Sequence, residues 1–350
     1  MPRKFFDLDR SLLLALLAFT PGCLPCARAS TCTTQAQMTP AQRDTLASTA
    51  RSIFAQVQTG NLQGLRANTL PAVAANFDGI VSSVDFLKPL VQPATVTVDE
   101  IYFLDAAGTP AASSTDFYCG SPVVVFHFTN LPPGNYALAF LHATGVPQPQ
   151  QVSLILAQAP EDRWLLAGFY DRPMMSAGHD GLWYWLAARR YAQTNDKWDA
   201  WLYYHTASDL LDPVSFLSSP NLELLQQEAN RTRPSNLPGE KPTTLTVNGE
   251  SFTVTAIGTS NVANWLDLDV KYTPSPNEAF QLRDPQAARQ QAISVMSALL
   301  ELHPELQSAF HGIWVHAQQG TASLFGLELP MAAIVSAPRP TASESTPFAH

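Results

Sequence analysis

The chain has 350 residues, of which 46% are hydrophobic and only 14% charged, enough for two or three domains with cores of their own. Twenty Lys and Arg against 29 Asp and Glu leave a net charge of −9, and no basic run relieves it, which sets aside nucleic acid as a partner. The 28 prolines outnumber the 17 glycines, a balance of stiff connections rather than flexible ones.

Arg3 and Lys4 precede an apolar run from Leu12 to Phe19, too short to span a bilayer but right for a signal-peptide core, so residues 1–29 are predicted to be an export signal. Two cleavage sites fit. Ala27-Arg28-Ala29 is a small-x-small site, whereas Gly22-Cys23 stands where a lipoprotein signal puts its acylated cysteine; a retained N-terminal helix is the third alternative. The first cut removes four basic and two acidic residues, so the mature chain is more acidic still. It also leaves Cys32 and Cys119, an even pair that is predicted to close one disulfide in an oxidising compartment, although Cys32 falls on a mobile terminus in this reading.

Thr39-Pro40-Ala41-Gln42 reads as a capped helix start, and Leu46, Ala50, Ile53, Phe54 and Val57 then repeat at helical spacing until Gly60. Val73, Phe77, Ile80 and Val84 suggest a second helix. After Pro93 the period falls to two, giving strands around 96–103, 123–128, 136–141, 152–156 and 164–170. A turn over 129–135 would pair the second and third of these, putting His127 near Ala137. Alternation with Val123 and Val125 lets His127 point inward.

Helices followed by a meander of long strands that ends in Trp164-Leu165-Leu166-Ala167-Gly168-Phe169-Tyr170 resemble the nuclear-transport-factor-2-like α+β cone, over residues 39–172. The resemblance implies a curved sheet wrapped round helices, often with an apolar pocket used for binding or for acid–base chemistry. None of that superfamily's catalytic residue sets can be placed here. Tyr102, His127 and Tyr136 are the pocket candidates, with Tyr118 and Asp171 as further lining residues.

Residues 180–230 are helical and rich in aromatics, and Ala188, Ala200, Tyr204 and Ala207 are similar to the small and aromatic positions of a tetratricopeptide repeat. One hairpin cannot bury its own face, so it is expected to dock on the α+β domain through Trp183, Leu186, Tyr204 and Leu211. Trp183, Trp185, Trp198, Trp201 and Tyr204 are the candidate partner-binding residues, weighed against simple packing. Residues 231–243 read as a linker.

Residues 244–336 begin with a hairpin at Asn248-Gly249, continue with a strand alternating Leu266, Leu268, Val270 and Tyr272 with Asp267, Asp269 and Lys271, and then a helix from Asp284-Pro285. Two further strands complete a β-β-β-α-β-β unit. Residues 337–350 are Pro/Ser/Thr-rich and predicted to be disordered. Asp267 and Asp269 share one strand face that could bind a cation, but the ordinary reading of such alternating acids is the solvent side of their strand. His303, His311 and His316 lie near Glu301 and Glu305, but without metal-ligand spacing, and the odd separation of His311 and His316 sets them on opposite faces.

No nucleophile elbow, phosphate loop or dinucleotide fingerprint occurs, so no catalytic residue, metal or cofactor is assigned. The fold class is α+β: a cone-like domain, a helical hairpin and a second small α+β unit. The functional expectation is an exported protein of a bacterial envelope, in the periplasm or secreted, acting as a non-catalytic scaffold for a protein or peptide. The alternative is a small-molecule-binding or isomerase/dehydratase-type cone, and membrane contact is expected only if Cys23 is lipidated.

Overall fold

The computed structural model describes residues 30–109, 113–239 and 241–336, so the predicted export signal, Cys23 and the C-terminal tail lie outside the described residues. The fold is α+β. It opens with β1 (Thr31–Thr34), α1 (Pro40–Thr59), α2 (Leu62–Ala67), α3 (Pro71–Ala74) and α4 (Asp78–Val91). Thr39 accepts a hydrogen bond from the Gln42 N–H, Pro40 supplies the first-turn dihedral, and Gly60, at φ 69°, ends α1 in the left-handed region. The second predicted helix is split at Pro71, and Phe77 then leads into α4.

Seven strands follow: β2 (Thr95–Asp105), β3 (Ser114–Cys119), β4 (Val124–Thr129), β5 (Asn135–Thr144), β6 (Gln150–Ala159), β7 (Arg163–Pro173) and the short β8 (Met175–Ser176). The first six form two layers rather than one meander, while β8 pairs with residues His179–Asp180. One sheet runs β1-β2-β5-β6-β7; its inner face buries Ile101, Ala139, Leu141 and Leu154 against Leu46, Phe54, Val84 and Leu87 of α1 and α4. Its other face carries Leu104, Tyr136, Leu138 and Phe140 onto β3 and β4, where Phe117, Phe126 and Phe128 meet them. Strand β5 is therefore buried on both faces, which explains its nearly unbroken apolar run.

The predicted hairpin between β4 and β5 does not form, because β5 pairs with β2 and β6 while β4 pairs with β3. On β4 the heavier Phe126 and Phe128 take the inner face, which turns His127 outward, opposite to the predicted phase. Cys32 is also not on a mobile end: β1 pairs with β2, Cys32 opposite Leu104, and a disulfide joins Cys32 to the buried Cys119, Cα atoms 5.3 Å apart.

The helical layer consists of β9 (His179–Asp180), α5 (Gly181–Thr194), α6 (Lys197–Leu211), β10 (Leu217–Ser218) and α7 (Pro220–Thr232). Asp180 caps α5 by accepting from the Trp183 N–H at 2.8 Å, and Asn195 ends it in the left-handed region. Strands β11 (Thr243–Val247), β12 (Glu250–Val262) and β13 (Trp265–Thr273), helices α8 (Pro276–Gln281), α9 (Pro285–Leu302) and α10 (Leu306–Ala309), strands β14 (Gly312–Gln319) and β15 (Ala322–Pro330), and α11 (Met331–Ser336) complete the chain. Asn248 and Gly249, both at positive φ, turn β11 into β12 as expected. The five strands lie in sequence order, antiparallel except that β13 and β14 are parallel across the α9 crossover. No helix among the described residues is long and apolar enough to cross a membrane.

The docking of the hairpin differs from expectation. Helices α5 and α6 share one core with the C-terminal sheet and α9, with Tyr203 donating to the Ala309 carbonyl at 2.8 Å and Thr206 bonding Thr259 at 2.8 Å. Trp183 and Leu186 stay 37% and 45% exposed, because that side of α5 faces away from both domains. The N-terminal domain is reached by α6, which also packs on β7, and by the loop after α6, where Val214 is buried in its second core and Phe216 packs on Phe128 and Tyr170. Phe216→Ala is therefore expected to cost about 2–3 kcal/mol of stability and Trp183→Ala less than about 1 kcal/mol, a contrast readable from urea midpoints.

Candidate functional site

The aromatic helices are held by a single, largely buried acid. Glu228 of α7 accepts from Trp185 Nε1 at 2.7 Å, from Arg189 through two bonds of 2.8 Å, and from the Tyr204 hydroxyl at 3.2 Å. Arg189 holds the Glu228 carboxyl below its ordinary range, while burial and then Glu228 push Tyr204 up to about 12. Trp185 and Tyr204 thus use their polar tips to lock α5, α6 and α7 together, and Trp198 is buried against His303 at a ring distance of 4.4 Å. Trp183 stacks on His179 at 3.7 Å. Of the five predicted binding aromatics, only Trp201 and Tyr204 also border the cleft beside α7.

That cleft, of about 440 Å³, lies between α6, α7 and the outer face of β4 and β10. Trp201, Tyr204, Leu222 and Leu225 supply its apolar surface, and His127, Ser218, Asp212, Glu223 and Arg233 its polar wall. Burial pushes the Asp212 carboxyl up, and one of its oxygens is buried without a hydrogen-bond partner among the described residues. His205, tilted against Trp201 at a ring distance of 4.0 Å, has its basicity lowered by burial, against the pull of Asp209. The cleft therefore holds an imidazole disfavoured as a cation and both acidic and basic side chains over an aromatic floor.

His127 stands at the cleft's edge within a three-residue chain. Its Nδ1 lies 2.9 Å from Asp116 Oδ1 of β3 and its Nε2 lies 3.0 Å from Ser218 Oγ of β10. Strand pairing builds this: Asp116 faces His127 directly across the β3–β4 ladder, and the His127 N–H donates to Phe216 O, which brings Ser218 alongside. An acid, an imidazole and a hydroxyl in this order have the geometry of a proton relay that activates a nucleophile. The sequence marks His127 as a candidate but not its partners, which lie 11 and 91 residues away. His142, the other histidine of this domain, sits 4.0 Å from Asp99 on the first sheet and does not join it.

Tyr102 and Tyr136 do not border the cleft. They fill the space between the two sheets, Tyr102 edge-on to Phe126 at 5.0 Å and Tyr136 donating its hydroxyl to Pro132 O at 2.8 Å. Tyr118 is exposed. Burial pushes the Asp171 carboxyl up, on the β7 edge of the first sheet beside Ser83.

No family model, no curated protein and no solved structure matches the chain.

Proposed function

We propose that the chain is an exported binding protein of a bacterial envelope and that it takes a short peptide in the cleft between α6, α7 and β4. The observation that carries this reading is the lining: an aromatic floor from Trp201 and Tyr204 beneath one guanidinium, Arg233, and two carboxylates, Asp212 and Glu223, the chemistry that fits a segment with apolar side chains and charged ends. The Cys32–Cys119 disulfide is compatible with export. The likeness of residues 39–172 to the nuclear-transport-factor-2-like cone belongs to the same reading, because that superfamily uses its frame for binding; here the space between the sheets is occupied by side chains. Titration of the mature chain with a panel of short peptides, followed by amide NMR shifts, is expected to move signals of α6 and α7, and Arg233→Ala to weaken binding without lowering the melting temperature. Shifts absent from the cleft, or confined to other faces, would overturn the proposal.

The Asp116–His127–Ser218 chain favours a second reading, hydrolysis of an ester or amide by Ser218. A fluorophosphonate probe is expected to leave a single covalent adduct on the wild-type chain and none on Ser218→Ala, with His127→Gln slowing the labelling roughly 100-fold or more as loss of a general base does. Unlabelled wild-type protein would leave the relay as a structural clasp of β10.

A further inference from the structure

The open face of the C-terminal sheet carries a second cluster. Asp267 of β13, His311 at the entry to β14 and Glu328 of β15 each offer one donor atom, and these atoms lie within 4.8 Å of one another. Strand alternation predicts a solvent face for Asp267, yet its side chain is only 1% exposed, covered by the neighbouring imidazole and carboxyl. Its Oδ1 meets His311 Nδ1 at 3.0 Å, while its Oδ2 is buried with no partner among the described residues, and so is Glu328 Oε1. Leaving two buried carboxylate oxygens unpaired is costly unless a cation sits between them or the two carboxyls share one proton.

His311 reaches this face because it precedes β14, so the strand alternation that predicts opposite faces for His311 and His316 does not apply to it; His316 lies beside Asp269, 3.4 Å away on the same face. The ring of Trp265 stacks on His311 at 4.7 Å and 15°, which fixes the imidazole plane. Gly312 leaves the room: a Cβ there would stand 3.0 Å from Glu328 Oε1, 3.2 Å from Asp267 Oδ1 and 2.6 Å from the Leu329 carbonyl.

We propose that Asp267, His311 and Glu328 bind one divalent transition-metal ion of the zinc class. The donor set is one imidazole nitrogen and two carboxylate oxygens, the mixture that suits such an ion rather than calcium or magnesium. The 3.0 Å between His311 Nδ1 and Asp267 Oδ1 is a hydrogen-bond distance, and the two donors would move apart to about 3.4 Å around a tetrahedral ion about 2.1 Å from each. Three protein ligands leave coordination positions for water on the exposed side, next to Trp265.

Equilibrium dialysis of the mature, disulfide-intact, tag-free chain against Zn²⁺ tests this. One tightly held equivalent is expected, lost in His311→Gln and in Glu328→Gln, two side chains exposed enough that the fold survives, and a Co²⁺-loaded sample is expected to show visible absorption that the same variants lack. Absence of a tight equivalent would overturn the site and assign the pair of acids a shared proton instead. Retention of the equivalent in both variants would also overturn it, placing the ion at His316 and Asp269 or at His303 and Glu305.

Discussion

Raising the pH from about 5 to about 8 is expected to destabilise the native chain, and Asp199→Asn to remove most of that loss. Asp199 is the third residue of α6, fully buried, with one carboxylate oxygen lacking a partner among the described residues. Burial first, then the charges of Glu305 and Asp196, push its carboxyl from an ordinary 3.8 up to about 7. Its place in the first turn of a helix favours the anion and works against this, but a first-turn dipole is worth at most about 2 kcal/mol, less than the burial cost of an unpaired carboxylate. Below about pH 4 the folded and unfolded chains both keep this proton. Between about 4 and about 7 the unfolded chain releases it and the folded chain does not, so stability falls as pH rises, and above that window it stays flat. The shift of roughly three units corresponds to on the order of 4 kcal/mol. Asp209 and Asp212, also pushed up by burial, add to the same slope. Urea unfolding of wild type and Asp199→Asn across this range is the check, and parallel pH curves for the two proteins would refute it.

The second large effect is expected from the disulfide. Cys32 and Cys119 are 87 residues apart, so the cross-link restricts a long loop of the unfolded chain and also fastens β1 to the second sheet. Replacing both by serine is expected to lower stability by about 3–5 kcal/mol. Reductant should shift the wild-type urea midpoint and leave the double variant unmoved; equal midpoints for the oxidised wild type and the double variant would show that the strand pairings alone suffice.

The C-terminal unit is legible in the sequence because its signals are local. Asn248-Gly249, the alternation over 266–272 and the Asp284-Pro285 start each act within a few residues, and Asp284 does cap α9 through the Gln286 N–H. In the N-terminal domain the strands are legible but their partners are not. A short loop between β4 and β5 suggests a hairpin, yet two-sided burial of β5 outweighs proximity in sequence. Strands β1, β3 and β10 carry no clear period, and without them neither the second sheet nor the partners of His127 can be foreseen. The aromatic density of α5 and α6 is evident, but whether a Trp is anchor or lining depends on where its polar tip goes, and Glu228, which takes two of the aromatic tips, looks in sequence like any surface acid. The Asp267 cluster is hidden for another reason. Strand parity predicts a face only inside a strand, and His311 stands one residue outside.

The position of Cys32, two residues beyond Ser30, also sets how tension would travel through the molecule. A pull at the N-terminal end meets first the short β1–β2 ladder, whose hydrogen bonds can break singly. It then reaches a covalent bond that cannot yield, and the load passes directly to Cys119 at the end of β3. From there it enters the sheet β10-β4-β3, whose strands hold Asp116, His127 and Ser218. The helical layer and the C-terminal sheet, joined to each other through one core, are loaded through β10, the loop around Phe216 and the chain that leads from β7 into α5. In a tethered chain the strand wall of the cleft would therefore be strained as soon as the β1–β2 ladder gave way.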